Sequence, residues 1–320
     1  MNDTQVTKGK IGRLIAKNLI VMLVAVIVAL TGVLAWFTNQ TSVEADGVSV
    51  ECKAPDGVYI AIVKHGDPAP SDDEYSTEIH LNSENYPFLE DLYMTEVTGD
   101  GTNGSFLRPA LTQSGGKAMV DTSAEWAYAE ENSDFLSFDL YIRSESPHII
   151  GLTSGSSIAP VSQKLTWNAG ESTTGCNPST YGNFSKDCIV GAVRFSVVAN
   201  GEDETRELLW IPAPNIKLSD DAASVETNLT KGDTYKHFYY DENKIQKTLT
   251  NSAVVANNKL DYTLGSDKQI VEIQTTDADG DYFVTYVTCN MWVEGEDDES
   301  RLALVGGEYK VMLELMLMDN

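Results

Sequence analysis

The stretch "TTDADGDYF" sets Asp277, Asp279 and Asp281 at alternate positions around Gly280. Three carboxylates that close together supply enough hard oxygen for a cation such as Ca2+. A helix–loop–helix calcium loop wants Gly sixth and Glu twelfth. Counted from Asp277, Gly280 is fourth and Thr288 twelfth, so that template fails. The competing reading is a tight hairpin turn between "KQIVEIQTT" and "DYFVTYV", where Asp and Gly serve backbone geometry. These three aspartates are the candidate metal ligands of the chain. Ca2+ is the candidate ion, and no other cofactor is implied.

Other reactive side chains lack the spacing that chemistry needs. His65, His80, His148 and His237 occur in "HGDPA", "HLNSE", "HIIGL" and "HFYYD". None has a second His four residues on with a Glu between, the arrangement that puts two zinc ligands on one helical face. They read as surface or turn residues. No G-x-S-x-G elbow is present, and "LTSGSSIAP" lacks the helix that would follow one. A phosphate-binding glycine loop with its lysine is also missing. The chain is therefore expected not to be an enzyme, with a hydrolase of unrecognised site as the last alternative, and no catalytic residue is assigned.

Cys52 and Cys289 lie in strand-like segments that could pair across sheets. Cys176 and Cys188 flank an Asn/Pro/Ser/Gly loop that a bridge would staple. Sequence does not decide between these pairings and four free thiols. Trp126, Trp167, Trp210 and Trp292 are scattered, the last two in strands that look buried. "HFYYD" offers an aromatic patch at Phe238, Tyr239 and Tyr240 suited to a carbohydrate, with core packing as the competing role.

The elements that must position these residues show period two far more than 3.6. "VSVECKAPDGVYIAIV" reads as two strands around a Pro-Asp-Gly turn, the second buried on both faces. "FLSFDLYIRS" puts Phe138, Leu140 and Ile142 on one face and Asp139, Tyr141 and Arg143 on the other. "IVGAVRFSVVAN", "RELLWIPAP", "KQIVEIQTT" and "DYFVTYVTCNMWVEG" add strands, the second of them ended by prolines. In "EYKVMLELMLM" Met, Leu and Glu favour helix. Yet Tyr309, Val311, Leu313, Leu315 and Leu317 alternate strictly, which predicts a strand. Short helices are expected near 222–229 and 298–305. The fold class is mainly β: an antiparallel β-sandwich or jelly roll, with loop insertions or a small subdomain at about 64–130.

Ahead of this domain, Asn18 to Phe37 carries no charge, and roughly 20 helical residues match the ~30 Å core of a bilayer. Lys8, Lys10, Arg13 and Lys17 precede the run, while Glu44, Asp46 and Glu51 follow it. Basic flanks stay in the cytoplasm, so the domain faces outward. The expected organisation is a basic cytoplasmic segment 1–17, a transmembrane or signal helix 18–37, a polar linker 38–47 and an extracellular acidic domain 48–320. The run exceeds an ordinary secretory h-region, which favours a retained anchor in the cell membrane; cleavage would make the protein secreted. The whole chain carries −26, and residues 46–320 alone have 18 basic against 46 acidic residues, or −28. That charge repels nucleic acid, so no nucleic-acid partner is expected. The expected partners are the lipid bilayer, through the helix, and a second copy or a cell-wall or matrix component.

Trp36, Phe37, Thr38 and Asn39 close the apolar run with an aromatic pair and a polar stretch. An apolar helix ending in this way before an acidic β-rich domain resembles the exported proteins of Gram-positive bacteria related to TasA and camelysin. "FDLYIRS", "GAVRFSV", "LLWIPAP" and "MWVEGEDDE" are similar to short elements of membrane-anchored Clostridia-type proteins. The N-terminal likeness covers about 25 residues. It implies a jelly roll, surface or matrix fibres built by passing an N-terminal strand into the next subunit, and a dedicated signal peptidase cutting near Ala35 or Trp36. Camelysin-like members are described as proteases, but this chain has no metal-ligand motif to match, and no catalytic residue carries over.

Overall fold

The computed structural model describes residues 48–114, 117–161, 186–200, 205–212, 237–249, 254–256, 262–277, 280–295 and 308–318. They belong to one compact unit, Val43–Asn320. The apolar run 18–37, the linker 38–47 and the expected helices at 222–229 and 298–305 lie outside the described residues. Among the described residues, no helix is long and apolar enough to cross a membrane.

The described chain is mainly β. Its strands are β1 (Val48–Lys53), β2 (Val58–Lys64), β3 (Glu78–Leu81), β4 (Glu96–Val97), β5 (Leu107–Arg108), β6 (Leu111–Ser114), β7 (Lys117–Val120), β8 (Ala127–Tyr128) and β9 (Leu136–Ser144). There follow β10 (His148–Leu152), β11 (Ser157–Pro160), β12 (Val193–Ala199), β13 (Thr205–Ile211) and β14 (His237–Tyr240). The last are β15 (Gln246–Leu249), β16 (Val254–Ala256), β17 (Lys268–Ile273), β18 (Phe283–Glu294) and β19 (Tyr309–Met318). One sheet runs β17-β10-β19-β1-β3, with β11 also paired to β19; a second runs β16-β13-β12-β18-β9-β2, with β4 beside β18. Most ladders are antiparallel, whereas β1–β19, β13–β16 and β4–β18 are parallel.

The turn "PDG" shows why a strand–turn–strand sequence need not make a hairpin. Val58 N–H donates to the Pro55 carbonyl at 3.1 Å, with Gly57 at φ +81° as the second central residue. That positive φ is the conformation glycine adopts without a Cβ clash. The turn sends β1 into the first sheet and β2 into the second. β17 and β18 behave likewise. A short ladder around Thr276–Phe283 joins them, and then they part into different sheets.

Alternate residues of both sheets meet in one hydrophobic cluster. Val50, Ile79, Ile150, Ile273, Val311 and Leu313 come from the first sheet; Ile60, Phe138, Leu140, Phe195, Val287 and Met291 come from the second. Each fully buried aliphatic or aromatic side chain here contributes about 1.5–3 kcal/mol of transfer free energy. The second sheet is covered on its outer face as well. Val97, Phe106 and Phe135, from the connection between β3 and β9, pack on Leu209, Ile211 and Trp292. Phe106 meets Trp292 edge-on at 5.0 Å and Phe135 at 4.3 Å between ring centroids.

Candidate functional site

Two places in the fold have the makings of a site. The first is the slot filled by β1. Val50 faces Val311 of β19 and Leu81 of β3, while Cys52 faces Leu313 and Ile79. Both side chains are buried, because period two turns every second residue of this strand into the core. Glu51 and Lys53 point the other way and form an ion pair at 2.6 Å, with Glu78 of β3 at 3.6 Å from the same ammonium. The Lys53 hydrogen bond holds the Glu51 carboxyl below its usual range. So β1 is hydrogen-bonded on both edges and apolar on one face, and the turn at 54–57 is its covalent link to β2.

The second place is the outer face of the second sheet, where the strand alternation of β9, β12 and β18 aligns polar side chains. Asp139 on β9 sits opposite Thr288 on β18, and Ser137 opposite Asn290. Thr288 Oγ1 donates to Asp139 Oδ1 at 2.6 Å, His65 Nδ1 lies 2.8 Å from the same oxygen, and Gly66 N–H donates to Oδ2 at 3.2 Å. Asn200 Nδ2 donates to Thr288 Oγ1 at 3.0 Å. Ser137 Oγ donates to Asn290 Oδ1 at 2.8 Å, and Asn290 Nδ2 donates to Asn103 at 3.0 Å. Further along, Ser196 Oγ donates to the Gly101 carbonyl at 2.6 Å. Gly101 has φ +88°, and a Cβ there would meet Ser196 at 3.0 Å and Trp292 at 3.2 Å.

His65, Asp139 and Thr288 are the types of a hydrolytic trio, but they are not wired as one. A relay needs the His between the carboxylate and the hydroxyl. Here a single ring nitrogen, His65 Nδ1, lies 2.8 Å from Asp139 Oδ1 and 3.3 Å from Thr288 Oγ1, while the hydroxyl makes its shorter bond, 2.6 Å, to that same carboxylate oxygen, so the imidazole does not bridge the two. What this arrangement can do is hold the 64–67 segment onto the sheet.

His237 corrects the surface reading of the histidines. It is fully buried on β14, its Nε2 2.7 Å from the Gly99 carbonyl and 3.7 Å from Glu294, which also accepts from Trp292 Nε1 at 3.0 Å. Burial, reinforced by the Arg194 charge, pushes its pKa down to about 3, so the ring is neutral and donates from Nε2. Tyr239 and Tyr240 are half-buried rather than an open platform: Tyr239 stacks on His237, and Tyr240 meets Trp126 edge-on. At the other end of the outer face, Tyr141 and Tyr286 stack at 4.7 Å. Arg143 lies 3.9 Å from the Tyr75 ring centre and 4.5 Å from that of Tyr282, and donates to Asp72 at 2.7 Å. Of these aromatic gatherings only the Phe238–Tyr240 stretch is visible in the sequence, since the other members come from segments far apart along the chain.

Of the candidate metal ligands, Asp277 and Asp281 are described and Asp279 lies outside the described residues. Asp277 Oδ1 accepts from the N–H groups of Gly280 at 2.7 Å and Asp281 at 3.0 Å, and its own N–H donates to the Tyr282 carbonyl at 2.8 Å. That is the work of a turn-forming aspartate. Among the described residues, no three His, Cys, Asp or Glu side chains gather closely enough to hold an ion. Cys52 and Cys289 are free thiols in the core. Cys176 lies outside the described residues, so its pairing with Cys188 does too. No protein-family profile, curated protein or solved structure matches this chain.

Proposed function

We propose that this is a non-enzymatic structural protein of the cell surface or extracellular matrix, of the TasA and camelysin kind, carried outward by the apolar run 18–37. Its two large sheets form a sandwich of jelly-roll type, and copies join by exchanging β1. The single observation behind this reading is the setting of β1. It is laddered to β19 on one edge and β3 on the other, and among its described side chains Val50 and Cys52 join the core cluster. The same strand from a second copy would restore every one of those interactions, which makes the exchange nearly neutral in contacts and set by concentration.

Residues 43–320, the compact unit, test this by light scattering across a concentration series. Dimers and longer assemblies are expected to grow with concentration and to disappear when Val50→Lys places a charge in the slot. A monomer at every concentration, with or without Ca2+, overturns the reading. A surface module for carbohydrate or another ligand is the second reading, favoured by the half-buried tyrosines 59, 75, 282 and 286 gathered at one end of the outer face. Glycan-array binding lost in Tyr286→Ala would support it.

A further inference from the structure

The strand proposed to exchange carries a cysteine, and the sheet across the core presents another. Cys52 of β1 and Cys289 of β18 belong to opposite sheets and to the same hydrophobic cluster, with side chains 0 % and 1 % exposed. Burial raises the Cys289 thiol, and the nearness of Cys52 raises it further. Burial likewise pushes Cys52 up to about 12, with Glu51 adding to the effect. While β1 is seated, both sulfurs are therefore protonated and out of reach of any oxidant. When β1 leaves its slot, Cys52 comes out with it.

We propose that Cys52 and Cys289 form a disulfide across the core that locks β1 into its slot. The fate of the lock rests on the assembly reading: with β1 in its own chain it makes a latched monomer, and with β1 from a second copy it makes a covalent joint between subunits. The oxidant is a small disulfide such as oxidised glutathione. With β1 out, the Cys52 thiolate attacks one sulfur of that disulfide and one glutathione thiolate leaves. As β1 seats, the Cys289 thiolate attacks the Cys52 sulfur and the second glutathione thiolate leaves. Two thiol groups lose two electrons and two protons, and one glutathione disulfide becomes two thiols. Inter-sheet bridges of this kind span the layer spacing of other β-sandwiches. A bridge from β1 to β18 encloses most of the domain, and closing so long a loop gives the largest constraint on the unfolded chain.

The test uses full-length protein in a Cys176→Ser/Cys188→Ser background, kept in detergent where the apolar run requires it. Samples are held with oxidised glutathione or with dithiothreitol, capped with N-ethylmaleimide, digested and mapped by mass spectrometry. The expected result is a Cys52–Cys289 peptide and a thermal midpoint higher by about 10 °C in the oxidised sample. Bond formation should reach a limiting rate independent of glutathione concentration, because strand opening gates it. Cys52→Ala and Cys289→Ala each remove the peptide and the shift; if either fails to fold, the wild-type mapping still decides. Reducible dimers that map to Cys52–Cys289 support both the lock and the exchange. The same peptide found only within single chains supports the lock and counts against exchange. Two free thiols after incubation under conditions that open β1 overturn the proposal, whatever the oligomeric state.

Discussion

The two faces of the second sheet are built from the same strands by different physics. On the inner face, Phe138, Leu140, Phe195, Val287 and Met291 are held by transfer from water, which is large but indifferent to partner. On the outer face, Ser137, Asp139, Ser196, Thr288, Asn290 and Glu294 are equally buried. There each polar group has lost water and must find a partner within hydrogen-bonding reach, or the fold loses about 1–3 kcal/mol. The inner face therefore supplies strength. The outer face fixes which segment covers it, and in which register.

The largest expected effect tests the inner face. Phe138→Ala, which empties a fully buried site, should cost about 3–5 kcal/mol in urea unfolding at neutral pH. A loss below 1 kcal/mol would mean that the two sheets do not share a close-packed core.

Acid tests the outer face. His237 faces Glu294, Arg194, Arg206 and Asp100 and is neutral in the fold, with a pKa about 3 against roughly 6.5 in the unfolded chain. The unfolded state takes up the proton first as pH falls below 6.5, so this contribution is whole above that value and shrinks toward pH 3. By pH 4 it should have lost about 3 kcal/mol. His237→Gln, less stable at neutral pH, should show a decline flatter by that amount; parallel pH curves for the two proteins would place the ring in water. Asp139→Ala comes next, at about 1.5–3 kcal/mol, since it leaves His65, Gly66 and Thr288 without their common acceptor. A cost confined to local loosening of 64–67, read by hydrogen exchange, would sharpen the view that this cluster pins the cover.

Gly101→Ala should cost about 1–2 kcal/mol, from the positive φ and the contacts with Ser196 and Trp292. The smallest effect belongs to Asp277→Ala, about 0.5–1 kcal/mol for loss of the turn's hydrogen bonds. Calcium titration of the intact protein separates the two readings of that turn: a Ca2+-dependent rise in melting temperature that Asp277→Ala abolishes would restore the ion.

Local periodicity is enough to read the strands. The alternation in "FLSFDLYIRS" identifies the inner face of β9, and that in "EYKVMLELMLM" yields β19 against the helix preference of Met, Leu and Glu. The same alternation leaves Asp139 and Arg194 looking like solvent-facing residues. Nothing within ten residues of Arg194, and only the unpatterned stretch ahead of β9 for Asp139, hints that segments around 95–106 and 131–135 come down over this face. His237 escapes a sequence reading for the same reason, because its partners Gly99 and Glu294 are remote along the chain. The Pro-Asp-Gly turn is legible as a turn, but its exit into a different sheet is not, since backbone chemistry sets the bend and tertiary packing sets the destination. The slot around β1 is equally hidden: its walls are β3 and β19, and only the first lies nearby in the chain.

That slot also constrains how the molecule is made. Roughly 260 residues separate Val48 from its partner Tyr309. At a synthesis rate of about 5–20 residues per second, the leading strand waits on the order of 10–50 s for its last neighbour to emerge. Throughout that interval an apolar strand edge lacks its intended mate, and whichever matching edge arrives first will take it. In a crowded stream of nascent chains, timing alone helps decide whether a polypeptide closes upon itself or upon its neighbour.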